Sequence, residues 1–235
     1  MKKADTQKRA WIALIGSIVL TVGLYAAPHS EWFAWPMILL STLAHEMGHG
    51  IAAMMVGGEF HSFVMHPDAS GVATWSGDVG RLGRGFVSAG GLIGPAVIAA
   101  FLFVIGRKPK RAKSALVVLG IGLLVALVFV VRNLFGVGFV ACLALFCLVV
   151  GSKASPTISQ WVVVFGAVQL ALSVFSRGDY LFTATAETSS GTMPSDVAHM
   201  AEALLLPYWF WGGACGLFSI LVLIFGVVGF LRRPG

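Results

Sequence analysis

Charged side chains are scarce in this sequence. Asp, Glu, Lys and Arg make up 11% of the 235 residues, whereas a soluble domain carries roughly 25%. Hydrophobic residues account for 57%. This composition excludes an ordinary soluble globular domain, and it predicts an integral membrane protein whose surroundings are the lipid bilayer.

Cysteine is also scarce, and its placement excludes a disulfide framework. The three cysteines, Cys142, Cys147 and Cys215, all lie inside apolar runs, where free cysteine serves as a small core residue. The net charge of +6 does not indicate nucleic-acid binding. Its Lys and Arg residues cluster at the ends of apolar runs, where membrane proteins usually carry them.

Long apolar runs dominate the rest of the chain. About 20 such residues cross the hydrocarbon core of a bilayer. The candidate spans are Trp11–Ala27, Pro36–Val56, Phe86–Ile105, Ala115–Val131, Leu134–Val150, Ile158–Phe175 and Tyr208–Leu231. We therefore predict an all-α, polytopic transmembrane helical bundle of about six to seven spans. One domain is expected to cover residues 1–235.

The orientation of the bundle is not decided by this set of spans. Seven full crossings would place eight Lys and Arg residues on each side of the membrane, which leaves the positive-inside rule without a preference. Either the number of spans is wrong by one, or one segment is re-entrant. The region Ala115–Val150 is the candidate for re-entrance, because only Arg132-Asn133 interrupts its apolar run.

Two loops are long enough to carry structure of their own. In Gly57–Gly85, alternating residues and a turn-forming stretch before Val72–Trp75 predict a β-hairpin. The alternating residues are Phe60, Ser62, Val64 and His66. In the second loop, Arg177–Pro207, Ser195 is placed to cap a helix that begins at Asp196.

One apolar segment contains His45-Glu46-Met47-Gly48-His49. An ionisable side chain at the bilayer centre costs on the order of 3 kcal/mol, so three within five residues indicate a function. His45 and His49 share one helix face and can bind one metal ion. A catalytic zinc site has three protein ligands and one position open to water. Glu46 is then the general base that takes a proton from the zinc-bound water.

The third metal ligand is left open by the residues themselves. Asp179 and Asp196 are nearly equal candidates, and an acid in the first turn of a helix, as at Asp196, is stabilised by the helix dipole without any metal. Further candidates in the two loops are His61, His66, Asp68 and His199. Arg132-Asn133 is either an interfacial turn or a source of hydrogen bonds to a substrate near the zinc.

The chain resembles the zinc intramembrane metallopeptidases of the site-two protease type, in particular their bacterial peptidase-like branch. The segments that carry the resemblance are Ala44–Gly50, Gly57-Gly58, Ser70–Val72, Gly90–Pro95, Arg132–Gly136, Ser195–Ala198, Leu206-Pro207 and Trp211. They occur in the family's order. The L-D-G segment that carries the third ligand in better-known members is absent here, so the loop bearing Asp196 would have to approach the zinc.

This resemblance implies roles for individual residues. His45, His49 and Asp196 would bind Zn²⁺, with Asp179 as the alternative third ligand, and Glu46 would be catalytic. Asn133 would line the site, while Gly71 and Val72 belong to a hairpin that guides an extended substrate.

Two functions follow from these observations. The first is a zinc-dependent endopeptidase that cleaves membrane proteins or peptides within a membrane, expected to be the bacterial cytoplasmic membrane. The second is a non-proteolytic, metal-binding membrane scaffold or transporter. The polar residues gather at one motif and two loops instead of spreading over several helices, which favours the enzyme.

Overall fold

The computed structural model describes residues 3–176, 178–188 and 191–232. They form eight α-helices: α1 (Lys3–Ala26), α2 (Glu31–Met55), α3 (Gly80–Gly106), α4 (Pro109–Phe129), α5 (Leu134–Lys153), α6 (Pro156–Ser176), α7 (Asp196–Leu204) and α8 (Tyr208–Leu231). A 3-10 turn covers Gly178–Phe182. Strands β1 (Glu59–Met65) and β2 (Gly71–Ser76) form one antiparallel hairpin, and β3 (Thr185–Thr188) and β4 (Gly191–Pro194) form another. The predicted helical bundle with a hairpin is confirmed, and the second hairpin is an addition to it.

Six of the described helices are long and apolar enough to cross a membrane: α1, α3, α4, α5, α6 and α8. Their outward faces carry large exposed apolar side chains, for example Val118, Ile121 and Val125 on α4, and Leu217 and Leu221 on α8. Contiguous apolar surface of this kind is excluded from water in a stable protein. The structure is therefore that of an integral membrane protein with lipid-facing helices.

One end of the bundle gathers basic residues, and we call it the basic end. Here α1, α4 and α6 begin and α3, α5 and α8 end. Hydrogen bonds join these helix ends, among them Arg9 to Thr157, Gln160 to the Gly106 carbonyl, Lys113 to the Ala154 carbonyl, and Arg107 to the Arg232 carbonyl. We call the opposite end, where both hairpins and α7 lie, the site end.

The helix α2 does not run from one end of the bundle to the other, as the six crossing helices do in alternating directions. Near its start, Trp35 contacts Phe135 at the beginning of α5, with ring centroids 5.9 Å apart. After its end, Val56 packs near Gly83 at the beginning of α3. Because α5 and α3 both begin at the site end, both ends of α2 lie there. The segment formed by α2, β1 and β2 is therefore re-entrant.

The region Ala115–Val150, which the sequence indicated as re-entrant, has a different structure. It contains most of α4 and α5, two helices of span length that pack against each other in opposite directions. Gly120 lies against Ala144 and Leu148, and Gly151 lies against Val117. Re-entrance therefore belongs to α2, whose ends are fixed by tertiary contacts that apolar-run length does not encode.

The first hairpin packs between α2 and the start of α5. A bulge between Phe60 and Ser62 interrupts the predicted alternation, so Phe63 and Met65 are fully buried and join Phe60 in one apolar cluster. On its outer edge, β1 bonds the α4–α5 connection: Phe63 N–H donates to the Val130 carbonyl (2.7 Å), and Arg132 N–H donates to the Phe63 carbonyl (3.0 Å). The hairpin is thereby held on two sides.

Glycines allow α2 and α3 to approach closely at the H-E-x-x-H segment. A Cβ on Gly48 would collide with the Gly90 carbonyl, and one on Gly94 would lie 2.9 Å from the Ala44 carbonyl. Gly90 and Gly94 form a G-x-x-x-G pair, the spacing that lets membrane helices pack backbone to backbone. This contact places the motif's imidazoles directly against α3.

Candidate metal centre and catalytic cleft

The structure brings His45, His49 and Asp196 together. The Nε2 atoms of the two histidines are 3.2 Å apart. Asp196 Oδ2 lies 3.0 Å from His45 Nε2, and Asp196 Oδ1 lies 3.2 Å from His49 Nε2. All three side chains are largely buried. Among the described residues, this is the one group of three or more His, Cys, Asp or Glu whose ligand atoms converge in this way.

The distances in this cluster match a tetrahedral metal site. Zinc binds histidine nitrogen and carboxylate oxygen at about 2.0–2.2 Å, which places neighbouring ligands of a tetrahedron roughly 3.4 Å apart. The two Nε2 atoms are 3.2 Å apart, and the distances of 3.0 and 3.2 Å to Asp196 run to its two different oxygens. One ligand atom from each residue lies within 4.8 Å of the other two. The donor set of two imidazoles and one carboxylate also belongs to catalytic zinc sites, which leave a fourth position open. The residues present therefore fit a zinc ion.

His49 is oriented by the backbone of α3. Its Nδ1 lies 2.8 Å from the Val87 carbonyl, to which it donates, so Nε2 is the ring nitrogen that faces the cluster. Gly91 provides the space for the ring, because a Cβ at this position would collide with His49 Nε2. Neither contact was predicted from the sequence. A carbonyl acceptor has no side-chain signature, although the Gly90-Gly91 pair indicated close packing.

Asp196 reaches the histidines because α7 is capped beside them. Ser195 is fully buried; its hydroxyl donates to the Thr183 carbonyl (2.6 Å) and accepts from Ala198 N–H (3.3 Å). Burial opposes ionisation of Asp196, but the charge of a protonated His49 and hydrogen bonds from both histidines outweigh it. Together they hold the pKa of Asp196 well below its usual range. At neutral pH the cluster therefore contains a carboxylate able to bind a cation.

Tyr180 is a site residue that the sequence analysis missed. Its hydroxyl donates to Asp196 Oδ2 over 3.4 Å, and its ring contacts the ring of His45 edge-on, with centroids 6.1 Å apart. The 3-10 turn that carries it packs against α8, where the Leu181 carbonyl contacts Gly212. A single tyrosine in a polar loop gives no pattern that would have identified it.

Glu46 lies against the first hairpin. Only 7% of its surface is exposed, and its Oε2 accepts a hydrogen bond of 2.7 Å from Ala73 N–H. Ala73 is opposite Phe63, whose own polar groups bond the α4–α5 connection on the far side of β1. In an antiparallel pair this alternation directs the backbone groups of Ala73 away from β1. The outer edge of β2 therefore faces Glu46.

The three residues predicted to contact substrate occupy different places. Gly71 is packed against α2, where an added Cβ would lie 2.7 Å from Thr42 Cγ2 and 3.0 Å from Glu46 Cγ. Val72 lines one of the two cavities beside Glu46, and Gly71 lines both. Their contact with a substrate stays a prediction.

Asn133 holds β1 in place. Its Nδ2 donates to the Met65 carbonyl (2.6 Å), and its Oδ1 accepts from the N–H groups of Met65 (3.1 Å) and Gly136 (3.3 Å). The side-chain amide thus pairs with β1 as a neighbouring strand would, and it also caps α5. Asn133 is not among the described residues that line the two cavities. A direct contact with substrate stays a prediction.

Among the described residues, the candidate ligands His61, Asp68 and His199 lie outside the cluster. The side chain of Asp179 lies outside the part of the chain that is described, so the alternative third ligand remains untested. His199 lines one cavity with Glu202. On the first hairpin, His61 contacts Ser76 (2.6 Å), and Asp68 accepts hydrogen bonds from the N–H and hydroxyl of Ser70.

Two cavities meet at the cluster. One, of about 400 Å³, is lined by apolar residues such as Leu92, Pro95 and Val174 and by polar residues such as Ser41, Asp68 and Glu187. The other, of about 330 Å³, is lined by polar residues such as Arg84, His199 and Glu202 and by apolar residues such as Val72, Trp75 and Met193. Both contain His45, Glu46, Gly71, Tyr180 and Ala186 in their walls. The cluster is therefore reachable from two directions.

Comparison with known proteins agrees with this geometry. The family model described as Peptidase M50B-like matches residues 11–226, a range that includes α2, both hairpins and Asp196. Neither the curated proteins nor the solved structures compared with the chain include a significant match. The match covers most of the chain and both parts of the cluster. The chain therefore belongs to the Peptidase M50B-like family.

Proposed function

We propose that the protein is a zinc-dependent intramembrane endopeptidase in which His45, His49 and Asp196 bind the metal and Glu46 is the catalytic base. The observation that supports it best is the convergence of His45 Nε2, His49 Nε2 and the Asp196 carboxylate within 3.0–3.2 Å of one another. The carboxylate of Glu46, which belongs to the same motif but is not one of the three converging groups, lines both cavities beside them.

The chain's own residues supply the proton transfers. A zinc ion bound at the cluster would act as a Lewis acid toward a water molecule and toward the carbonyl of the scissile bond. Glu46 accepts a proton from the attacking water and returns it to the leaving amine, as a general base and then a general acid. Ala73 N–H fixes the orientation of the Glu46 carboxylate. Tyr180 holds Asp196 through its hydroxyl.

The substrate is a membrane protein or peptide bound in extended form. A helix hides its carbonyls in hydrogen bonds, so a membrane-embedded segment must unwind before hydrolysis. Apart from the Ala73 N–H, which donates to Glu46, the outer edge of β2 can receive an added strand, because within the described residues β2 pairs with no strand except β1. Two cavities on either side of Glu46 suit an endopeptidase, whose substrate continues in both directions from the cleaved bond.

A metal-binding scaffold or transporter is the second candidate. Its support is that the cluster by itself requires only metal binding. Against it stands the buried carboxylate of Glu46, which contacts the hairpin edge and is exposed to both cavities. A structural metal site has no need of this additional acid. The membrane that holds the protein is proposed to be a bacterial cytoplasmic membrane.

The two functions are separated by co-expression with a library of tagged single-span proteins. Cells that carry the unsubstituted chain are compared with cells that carry Glu46→Gln, which keeps the side-chain volume and the metal ligands. We expect fragments of some library members only with the unsubstituted chain. Identical fragment patterns in both would favour the non-proteolytic candidate.

A further inference from the structure

The re-entrant path of α2 changes the distribution of charge across the membrane. With six crossings, α1, α4 and α6 run from the basic end to the site end, and α3, α5 and α8 run back. Every described basic side chain can then be assigned to one end. The basic end has nine: Lys8, Arg9, Arg107, Lys108, Lys110, Arg111, Lys113, Lys153 and Arg232. The site end has three: Arg81, Arg84 and Arg132.

Acidic side chains show the opposite distribution. The site end carries Glu31, Glu59, Asp68, Asp78, Glu187, Asp196 and Glu202, whereas Asp5 is the described acid at the basic end. Short loops rich in Lys and Arg stay in the cytoplasm, and acids contribute little to this rule. The basic end has nine Lys and Arg residues and the site end has three, and five of the nine lie within Arg107–Lys113. This difference decides the orientation, which seven crossings left undecided.

We propose that the basic end lies in the cytoplasm and that the metal cluster opens toward the opposite, non-cytoplasmic face. The substrate is then the non-cytoplasmic end of a membrane-embedded segment. The statement about orientation is independent of the enzymatic activity, and the statement about substrate depends on the proposed function.

The depth of the cluster agrees with cleavage near one face of the membrane. Val87 and Gly91, which contact His49, are 7 and 11 residues after Gly80, where α3 begins at the site end. At 1.5 Å per residue this is about 10–17 Å from the helix start. Arg84 lines the smaller cavity near that end, and Pro95 lines the larger cavity further along α3.

These positions give the bound substrate a direction. Its flank outside the membrane occupies the cavity that contains Arg84, His199 and Glu202, near the start of α3, and its membrane-embedded part occupies the cavity that Leu92 and Pro95 line further along this helix. The scissile bond lies between them, beside Glu46. Exposed tryptophans near the site end, Trp32 on α2 and Trp209 on α8, mark the level of the membrane interface there.

Cysteine labelling of the full-length chain tests the orientation. Asp78→Cys places a thiol on an exposed residue at the site end, and Lys108→Cys places one on an exposed residue at the basic end. Each variant is expressed in bacteria, and spheroplasts are treated with a membrane-impermeant maleimide before and after permeabilisation. The unsubstituted chain controls for Cys142, Cys147 and Cys215.

We expect Asp78→Cys to be labelled in intact spheroplasts and Lys108→Cys to be labelled only after permeabilisation. The reverse pattern, or labelling of both before permeabilisation, would overturn the proposed orientation. This result does not depend on whether the protein cleaves anything.

Two tagged reporters test the substrate. They share one cleavable sequence, placed at the non-cytoplasmic end of the span in the first and at the cytoplasmic end in the second. We expect loss of the tag only from the first reporter, and only when Glu46 is intact. Cleavage of the second reporter alone would overturn the inference. If the labelling is as expected and neither reporter is cleaved, the proposed function and its substrate are contradicted. The proposed orientation then still holds.

Discussion

Two residues of the cluster are recognisable in the sequence, and the third is not. His45 and His49 share a helix face because of their i, i+4 spacing, which holds for any α-helix. Asp196 and Asp179 were indistinguishable as loop acids, because the path of that loop depends on packing. The structure places Asp196 beside the histidines through a buried serine cap, information that no local pattern contains.

Removing the carboxylate of Asp196 should weaken metal binding strongly. Loss of an outer-shell partner alone reduces metal affinity about 10–100-fold, so Asp196→Ala is expected to lose more than that. Zinc content of the purified protein, measured across a chelator series, gives the result. Asp68→Ala, which removes an acid of the first hairpin, is the control. Equal zinc retention in Asp196→Ala and the unsubstituted chain would contradict the ligand assignment.

Gly91 is expected to control the position of His49. A methyl group at this residue overlaps His49 Nε2, so Gly91→Ala should reduce zinc affinity by about 10–100-fold, like the loss of an orienting partner. Gly138→Ala is the matched control, because a Cβ on Gly138, a glycine of α5, contacts nothing. Zinc titration of both variants checks this. Wild-type affinity in Gly91→Ala would show that His49 does not bind through Nε2 in this position.

For the secondary-structure elements, the sequence predicts whether a segment is a helix or a strand better than it predicts the path of that segment through the molecule. Hydropathy identified the helices, and turn residues identified the first hairpin. The bulge between Phe60 and Ser62 was not predicted, because it depends on how Phe63 and Met65 pack into a common core. The re-entrance of α2 was not predicted either, since its apolar length equals that of a crossing helix. Only the contacts at both of its ends distinguish a re-entrant path from a full crossing.

The contact between the first hairpin and α2 should be required for cleavage and dispensable for metal binding. Gly71→Ala places a Cβ 2.7 Å from Thr42 Cγ2 and 3.0 Å from Glu46 Cγ, which displaces β2 and weakens the bond from Ala73 to Glu46. Reporter cleavage is expected to fall while zinc content is unchanged. Thr74→Ala, on an exposed position of the same strand, should cleave normally. Zinc loss in Gly71→Ala would indicate a wider disturbance of the site.

The whole molecule combines a membrane bundle with one polar cleft at its site end. The matching family model and the six apolar helices make it a member of a peptidase family embedded in a lipid bilayer. That a single domain covers residues 1–235 stays a prediction. Composition was sufficient to predict the membrane bundle, because burial in lipid restricts the chain to few architectures. The assembly of α2, α7 and both hairpins around one cluster follows from long-range packing.

We propose that Glu46 performs proteolysis at a zinc ion held by His45, His49 and Asp196. The most direct test of this proposal is cleavage of a tagged reporter by purified protein and by Glu46→Gln, at equal zinc content. A general base contributes about 10²–10⁴-fold to rate, so we expect the variant to retain zinc and its cleavage rate to fall by at least the lower of these factors. Cleavage by zinc-loaded Glu46→Gln at the rate of the unsubstituted chain would contradict the proposal.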